Sequence, residues 1–510
     1  MTPSWSRPRD AASLDIQPLI SPLLIQLRGV AMCRRLSKLL LFLLCLLPAI
    51  AQASGFTQLG RLADKGFLIS AEARLIDEGT VLGAIEADRQ LSPASVTKSY
   101  LAAAALDRWG PQHRFTTRLL GESRPDGDGV LSGDLILDGG GDPALTTEDL
   151  WRLVQRLHQA GVREVEGRLL VSQWRFGPVE CITTDRCQAR DRTANAYSAL
   201  LSSAGVNYGS WCVSVAPGAA PGQPARVTGC DSQAAILEID NRVETRPDNS
   251  GTELRAERIT RNGDDVMVLS GQISTNARPR DIYRGSSDPA DQMARTLLGM
   301  LDQAGIAVRG GAETTLAEPP AGARSLAEVE GKPLQELLLR VMNYSNNFMA
   351  DILALNLVET PRADLRLGGA AIEAFVAGIP DHGPVTLLSG SGLTTENRTS
   401  ARGANALLES MFHRPSLFPS FVATLQSPGN GVMRFIRRGS PTFQHHVMLK
   451  TGTLNQPVAV RAVSGYFRTR SGRWGVFTAL VNGTGSTPYL SWSEVLDPLS
   501  VDLERMIDNH

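Results

Sequence analysis

The sequence predicts a mixed α/β (α+β) protein in which an antiparallel sheet is flanked by helices and interrupted by a long β-rich stretch. Three observations carry this. Strand-like runs separated by a turn come early, at 66–75 and 80–86. Three more come late, at 446–450, 460–468 and 474–481, close enough together to form a meander. From about 116 to 331 the pattern changes to short strands and Gly-rich turns, with helical periodicity on either side. At 510 residues the chain is long for one core, so two or three domains are expected.

The N-terminal region reads as a targeting segment. Arg34, Arg35 and Lys38 precede an apolar run from Leu39 to Leu47, which Pro48 ends. Ala51-Gln52-Ala53 then offers a small-x-small cleavage site before Ser54. That order is the pattern of a secretory signal peptide at 32–53. The run is too short to span a bilayer comfortably. Residues 1–31 lie upstream, which leaves open a start at Met32 or an extended leader. Cleavage would remove Cys33 and Cys45 and leave Cys181, Cys187, Cys212 and Cys230. Four cysteines in an exported chain suggest disulfides, and the local pairs Cys181–Cys187 and Cys212–Cys230 are favoured over the other connectivities. A zinc site is disfavoured, because no Cys-x-x-Cys and no nearby His accompany them.

Composition narrows the partners. The 51 basic and 52 acidic residues balance, with no Lys/Arg-rich run beyond the N-terminus, so nothing supports a nucleic-acid partner. At 42% hydrophobic and 20% charged, the chain is neither disordered nor polytopic in character.

Along the chain, Asp77-Glu78-Gly79 is the turn between the first two strands. A helix follows, with Ser92 as expected N-cap and Pro93 at the first position. An Ala-rich stretch carries it to Trp109, and Gly110-Pro111 ends it. Within the middle stretch one clear helix is expected near Thr147 to Ala160. Residues 333–358 are helical, with Leu334, Leu337, Leu338, Val341 and Met342 on one face. The pattern breaks after Asn343 and resumes with Met349, so Ser345 sits at a junction between two helices. A terminal helix near Trp492 to Met506 is more acidic than basic, unlike a membrane-surface anchor.

Three short motifs carry chemistry. Ser95-Val-Thr-Lys98 puts a hydroxyl and an amine three apart at a helix start, on one face. A serine hydroxyl is a weak nucleophile until a base takes its proton. Lys98 can do so only when neutral, and burial beside a second cation such as Lys450 would lower its pKa toward that state. Ser345 and Asn347 lie two apart on a turn and can face one cleft. The hydroxyl can relay a proton to a leaving amine, and the amide can bind a peptide carbonyl and steady Lys98. Helix capping is the plainer alternative for this pair. Lys450-Thr451-Gly452-Thr453 ends a strand. Its ammonium suits a carboxylate, Thr451 and Thr453 add hydroxyls, and Gly452 lets a backbone approach. A peptide could add along this edge as an extra strand. The backbone N–H groups of Ser95 and Thr453 are the expected oxyanion hole. No metal or organic cofactor is required by this set.

The three motifs in this order resemble the signature shared by penicillin-binding proteins and class A β-lactamases. Spacing separates the two. Ser345 lies 250 positions after Ser95, and Lys450 a further 105 beyond it. The long first interval resembles the class C low-molecular-mass penicillin-binding proteins, the D-alanyl-D-alanine carboxypeptidase/endopeptidase family, which carries a large insertion there. Pro93–Lys98, Gly133–Pro143, Ser389-Gly-Ser-Gly-Leu393 with Asn397, and Lys450–Leu454 before Ser464-Gly-Tyr466 look like the same family. The resemblance spans roughly 60–500.

It implies a penicillin-recognising, β-lactamase-like catalytic domain with a five-stranded antiparallel sheet, built from 54–115 and 332–510. An inserted β-rich region would occupy 116–331. It further implies Ser95 as acyl-enzyme nucleophile, Lys98 as proton acceptor, Ser345 as relay, Asn347 as substrate contact and Lys450 as carboxylate binder. Peptidoglycan stem peptides and β-lactams would be the partners and the periplasm the location, without a stable transmembrane anchor; a homodimer is left open. Two departures stand out. The second motif reads Ser-Asn-Asn where Ser-Asp-Asn is commoner, and Ser389 stands where Asp is frequent. The region around Cys181–Cys187 matches poorly, so Asp185 and Asp191 are only candidates for an acidic residue facing the substrate.

Two rivals share the scaffold or the fold: a β-lactamase, and a catalytically silent wall-binding protein. A metallopeptidase is disfavoured because His-Glu-x-x-His is absent. A Ser-His-Asp hydrolase is disfavoured because Gly390-Ser-Gly392 is not a nucleophile elbow, and His445-His446 read as strand residues.

Overall fold

The computed structural model describes residues 55–230, 237–359 and 361–510. The leader at 32–53 and its cleavage site lie outside them.

A five-stranded sheet organises the structure around the three motifs. Its order is Val447–Leu454, Val460–Arg468, Trp474–Asn482, Leu68–Leu75, Val81–Ile85, and every pairing is antiparallel. Two strands come from near residue 70 and three from the C-terminal part, and they join where Leu68–Leu75 pairs with Trp474–Asn482. The alternation of each strand sends side chains to two helical layers. On one side Tyr466 and Val476 meet Leu101, Leu353 and Leu407. On the other, Phe477, Ala479 and Val481 meet Leu496, Leu499 and Leu503 of the terminal helix Trp492–Asn509. Each fully buried Leu or Phe contributes roughly 1.5–3 kcal/mol.

The helix Thr97–Trp109 is buried along its first ten residues, which explains the Ala run: small side chains let neighbouring helices close in on every side. Its start corrects the expectation. Ser92 is not the N-cap; a 3₁₀ turn, Ala94–Val96, precedes the α-helix. Ser92 is instead pinned by its backbone, with its N–H donating to Asn482 Oδ1 at 2.8 Å and its carbonyl accepting from Asn482 Nδ2 at 3.0 Å.

Among the described residues, the stretch 116–331 holds four further sheets. The largest has five strands, with Thr116–Gly121 beside Arg324–Glu330 at one end, so the chain enters and leaves the stretch on paired strands. Two helices cover this sheet. Thr147–Gln159 was expected, with a capping box from Thr146 and Asp149. Pro289–Gln303 was not, although Asp288 caps it and Pro289 opens it. Both favoured disulfides are formed, Cys181–Cys187 and Cys212–Cys230. The first closes over a short helix, Thr184–Gln188.

Candidate active site

The three motifs meet at one end of the edge strand Val447–Leu454. Ser95 lies in the 3₁₀ turn, partly exposed, and the preceding Ala94 has φ +44°. Lys98, one turn on, is fully buried. Its Nζ donates to Ser95 Oγ at 3.0 Å, to Asn347 Oδ1 at 2.8 Å and to the Ser391 carbonyl at 2.6 Å. Burial, and then the neighbouring Lys450 ammonium, push the Lys98 amine well below its ordinary range. Burial thus biases this amine toward the neutral form, the form that can accept a proton.

Ser345 stands at the helix junction with φ +52°, in the left-handed region that costs a non-glycine residue about 1–3 kcal/mol. That conformation turns its hydroxyl to Lys450, whose Nζ lies 3.1 Å from Ser345 Oγ. The capping alternative applies to neither Ser345 nor Asn347. Asn346 is the N-cap of the helix Asn347–Asn356 and accepts from the Met349 N–H at 2.9 Å. The variable middle position of the motif is therefore a cap position, where Asn and Asp serve equally. Asn347, freed of capping, bonds Lys98 on one side and donates to the Tyr197 carbonyl at 3.2 Å on the other.

Lys450 is 1% exposed, and burial brings its amine down to about 7. Gly452 is required by contact: a Cβ there would lie 2.5 Å from the Pro93 carbonyl oxygen and 2.9 Å from the Ser95 nitrogen. The strand thus presses directly on the turn that carries Ser95. Its outer edge is partly covered, because Leu449 exchanges both backbone bonds with Gln426. In an antiparallel strand outward-facing backbone groups recur every second residue, so those of Thr451 and Thr453 face the same open side. Thr451 is buried and Thr453 exposed.

A loop closes the back of the site. Gly392 has φ +73°, and a Cβ on it would come within 1.9 Å of the Ala94 carbonyl oxygen. Ser389 Oγ accepts from the Gly392 N–H at 3.2 Å, holding the peptide whose carbonyl faces Lys98. Beside the cleft, a cavity of about 320 Å³ is lined by Asp185, Thr394, Glu396, Leu454 and Gln456. Asp185 accepts from Tyr197 Oη at 2.8 Å there. Asp191 is exposed and stands in the field of Arg258.

A family model described as the D-Ala-D-Ala carboxypeptidase 3 (S13) family matches residues 58–498. The chain belongs to that family. It is therefore a peptidase, as the motif order implied. A D-alanyl-D-alanine carboxypeptidase from Actinomadura sp. is 30% identical over 473 residues, covering 86% of this chain and 84% of that protein. The D-alanyl-D-alanine carboxypeptidase DacB of Haemophilus influenzae is 25% identical over 452 residues, covering 86% and 89%. The crystal structure of penicillin-binding protein 4 from Haemophilus influenzae shares the fold, with a TM-score of 0.69 at 21% identity over 88% of this chain and 98% of that one. Among the described residues, no helix is long and apolar enough to cross a membrane.

Three residues that connect to Lys98 are not apparent from the sequence: Ser391, Asp351 and Arg186. Asp351 was findable, four positions after Asn347 on a helix and hence on the same face. The other two act through a backbone carbonyl and a contact distant in sequence, which no local pattern announces.

Proposed function

We propose that this chain is a serine-type D-Ala-D-Ala carboxypeptidase, a DD-endopeptidase or both, acting on peptidoglycan peptides and exported by a cleaved leader. Residues 54–115 and 332–510 form its catalytic domain and 116–331 its insert. The observation that carries the reading is the 3.0 Å contact between Ser95 Oγ and a fully buried Lys98 amine, held by two further acceptors.

Ser95 Oγ attacks the carbonyl of the penultimate D-Ala as neutral Lys98 takes its proton. The tetrahedral oxyanion sits between the Ser95 and Thr453 N–H groups. The leaving amine receives a proton through Ser345, and water then hydrolyses the ester. Free D-Ala or a cross-bridge amine can leave by the same step, so one site can serve either activity. Lys450 holds the terminal carboxylate, which restores the charge that burial discourages, while Thr451 and Thr453 bond the peptide. β-Lactams acylate Ser95 because their amide and carboxylate present the same groups. In support, the Haemophilus influenzae protein of the same fold has been crystallised with a β-lactam.

Intact-mass spectrometry of the mature protein with penicillin, beside Ser95→Ala, tests this. A stable adduct confined to the wild type, with cleavage of muropeptides, is the expected result. Penicillin consumed without an adduct would make the protein a β-lactamase. Penicillin untouched and no adduct would make it a silent wall-binding protein.

A further inference from the structure

Lys98 is held by more than the three motifs. One carboxylate, Asp351, is fully buried behind it on the helix Asn347–Asn356. Its two oxygens are divided between two partners. Oδ1 accepts from the Ser391 N–H at 2.8 Å, and Oδ2 pairs with the Arg186 guanidinium at 2.8 Å. The Ser391 carbonyl in turn accepts from Lys98 Nζ. Arg186, 2% exposed, is the residue between Asp185 and Cys187 in the disulfide-closed helix, and its Nε also donates to the Ala199 carbonyl at 3.1 Å. A second tie comes from the same segment: the Tyr197 carbonyl accepts from Asn347, whose other end accepts from Lys98.

A buried ion pair is rarely a net source of stability, because desolvation offsets the attraction. Stability alone therefore does not account for this pair, and both of its ends lead to the same amine.

We propose that Arg186 and Asp351 are positioning residues for the reaction, through which the segment 181–199 fixes the Ser391 peptide and holds Lys98 against Ser95. This rests on the reading of Lys98 as proton acceptor. The pair also sets the local charge. The charged groups that bear on Lys98 are Lys450 from the edge strand, Asp351 from the helix behind it and Arg186 from the disulfide helix. Lys450 and Arg186 favour the neutral amine; Asp351 opposes them. Removing one partner of the pair therefore moves Lys98 in a direction that depends on which partner is lost.

The experiment is the pH profile of penicillin acylation, as a second-order rate constant, on the full mature chain. Variants are Asp351→Asn, Arg186→Met, the double variant Arg186→Met with Asp351→Leu, and Lys98→Met, each checked for folding by circular dichroism. Asp351→Asn should shift the acid limb to lower pH, and Arg186→Met should shift it to higher pH. Both plateaus should fall about 10–100-fold from misplacement of Lys98. The double variant buries no unpaired charge, so it should fold, return the acid limb toward wild type and keep a low plateau. Folded single variants with the wild-type profile would overturn the proposal. Should the single variants not fold, a double variant acylating at the wild-type rate with the wild-type limb would overturn it equally. Wild-type acylation by Lys98→Met would instead remove the reading of Lys98, a result distinct from either.

Discussion

Lys450 offers the sharpest test of how the site recognises its substrate. Its amine is buried, with a pKa near 7, so the charge that a carboxylate needs is only partly present in the free enzyme. About nine-tenths of the molecules carry it at pH 6 and about one-hundredth at pH 9. Apparent affinity scales with the competent fraction, so the dissociation constant of the complex before acylation should weaken about 100-fold over that interval. A penicillin methyl ester, lacking the carboxylate, should bind weakly and without this slope. Lys450→Met should make the carboxylated ligand behave like the ester. Stopped-flow acylation at several penicillin concentrations separates binding from chemistry at each pH. Less than threefold weakening from pH 6 to 9 in the wild type would refute the assignment of Lys450 as the carboxylate's partner. The same group leaves a signature in stability. The unfolded chain keeps the proton up to about 10.5, so between about 7 and 10.5 the unfolded state binds more protons. The Lys450 contribution therefore makes stability rise with pH across that window.

Two further outcomes are expected. Gly452→Ala places a methyl group 2.5 Å from the Pro93 carbonyl oxygen, so the Ser95 turn must retreat. Acylation followed by mass spectrometry should slow about 100-fold, with a stability loss of about 1–3 kcal/mol. Removing the disulfides by paired Cys→Ser changes should cost about 2 kcal/mol for Cys181–Cys187 and about 3 for Cys212–Cys230, following the separations of 6 and 18 residues, as read by denaturant unfolding.

The legible parts of this molecule are those written locally. The Ser95, Ser345 and Lys450 motifs are short strings, and their contexts follow from periodicity: a helix start, a break between two helical runs, a strand end. The late meander was readable because its strands are neighbours in the chain and in the sheet. The start of the helix Thr97–Trp109 departs from expectation because Ser92-Pro93 has the right residues for a cap, whereas the Ser92 backbone is held by Asn482, distant in sequence. The helix Pro289–Gln303 follows Gly285-Ser-Ser, which reads as a loop and hides the Asp288 cap. Arg186 looks in sequence like any surface arginine beside an aspartate. Only the folded chain brings it to Asp351, 165 positions away, where a guanidinium can be buried.

The five-stranded sheet that carries the Lys450 motif is completed from opposite ends of the chain. Glu72 faces Thr478 across strands roughly 400 residues apart in synthesis. At about 5–20 residues per second that is about 20–80 s during which Leu68–Leu75 has emerged without its partner. For that time its edge is open to any other extended chain. A chain that stopped just after Leu454 would carry all three motifs yet lack the two strands that join Val447–Leu454 to Leu68–Leu75. Nonsense changes late in the sequence, far past the last motif residue, should therefore be as damaging as loss of Ser95 itself.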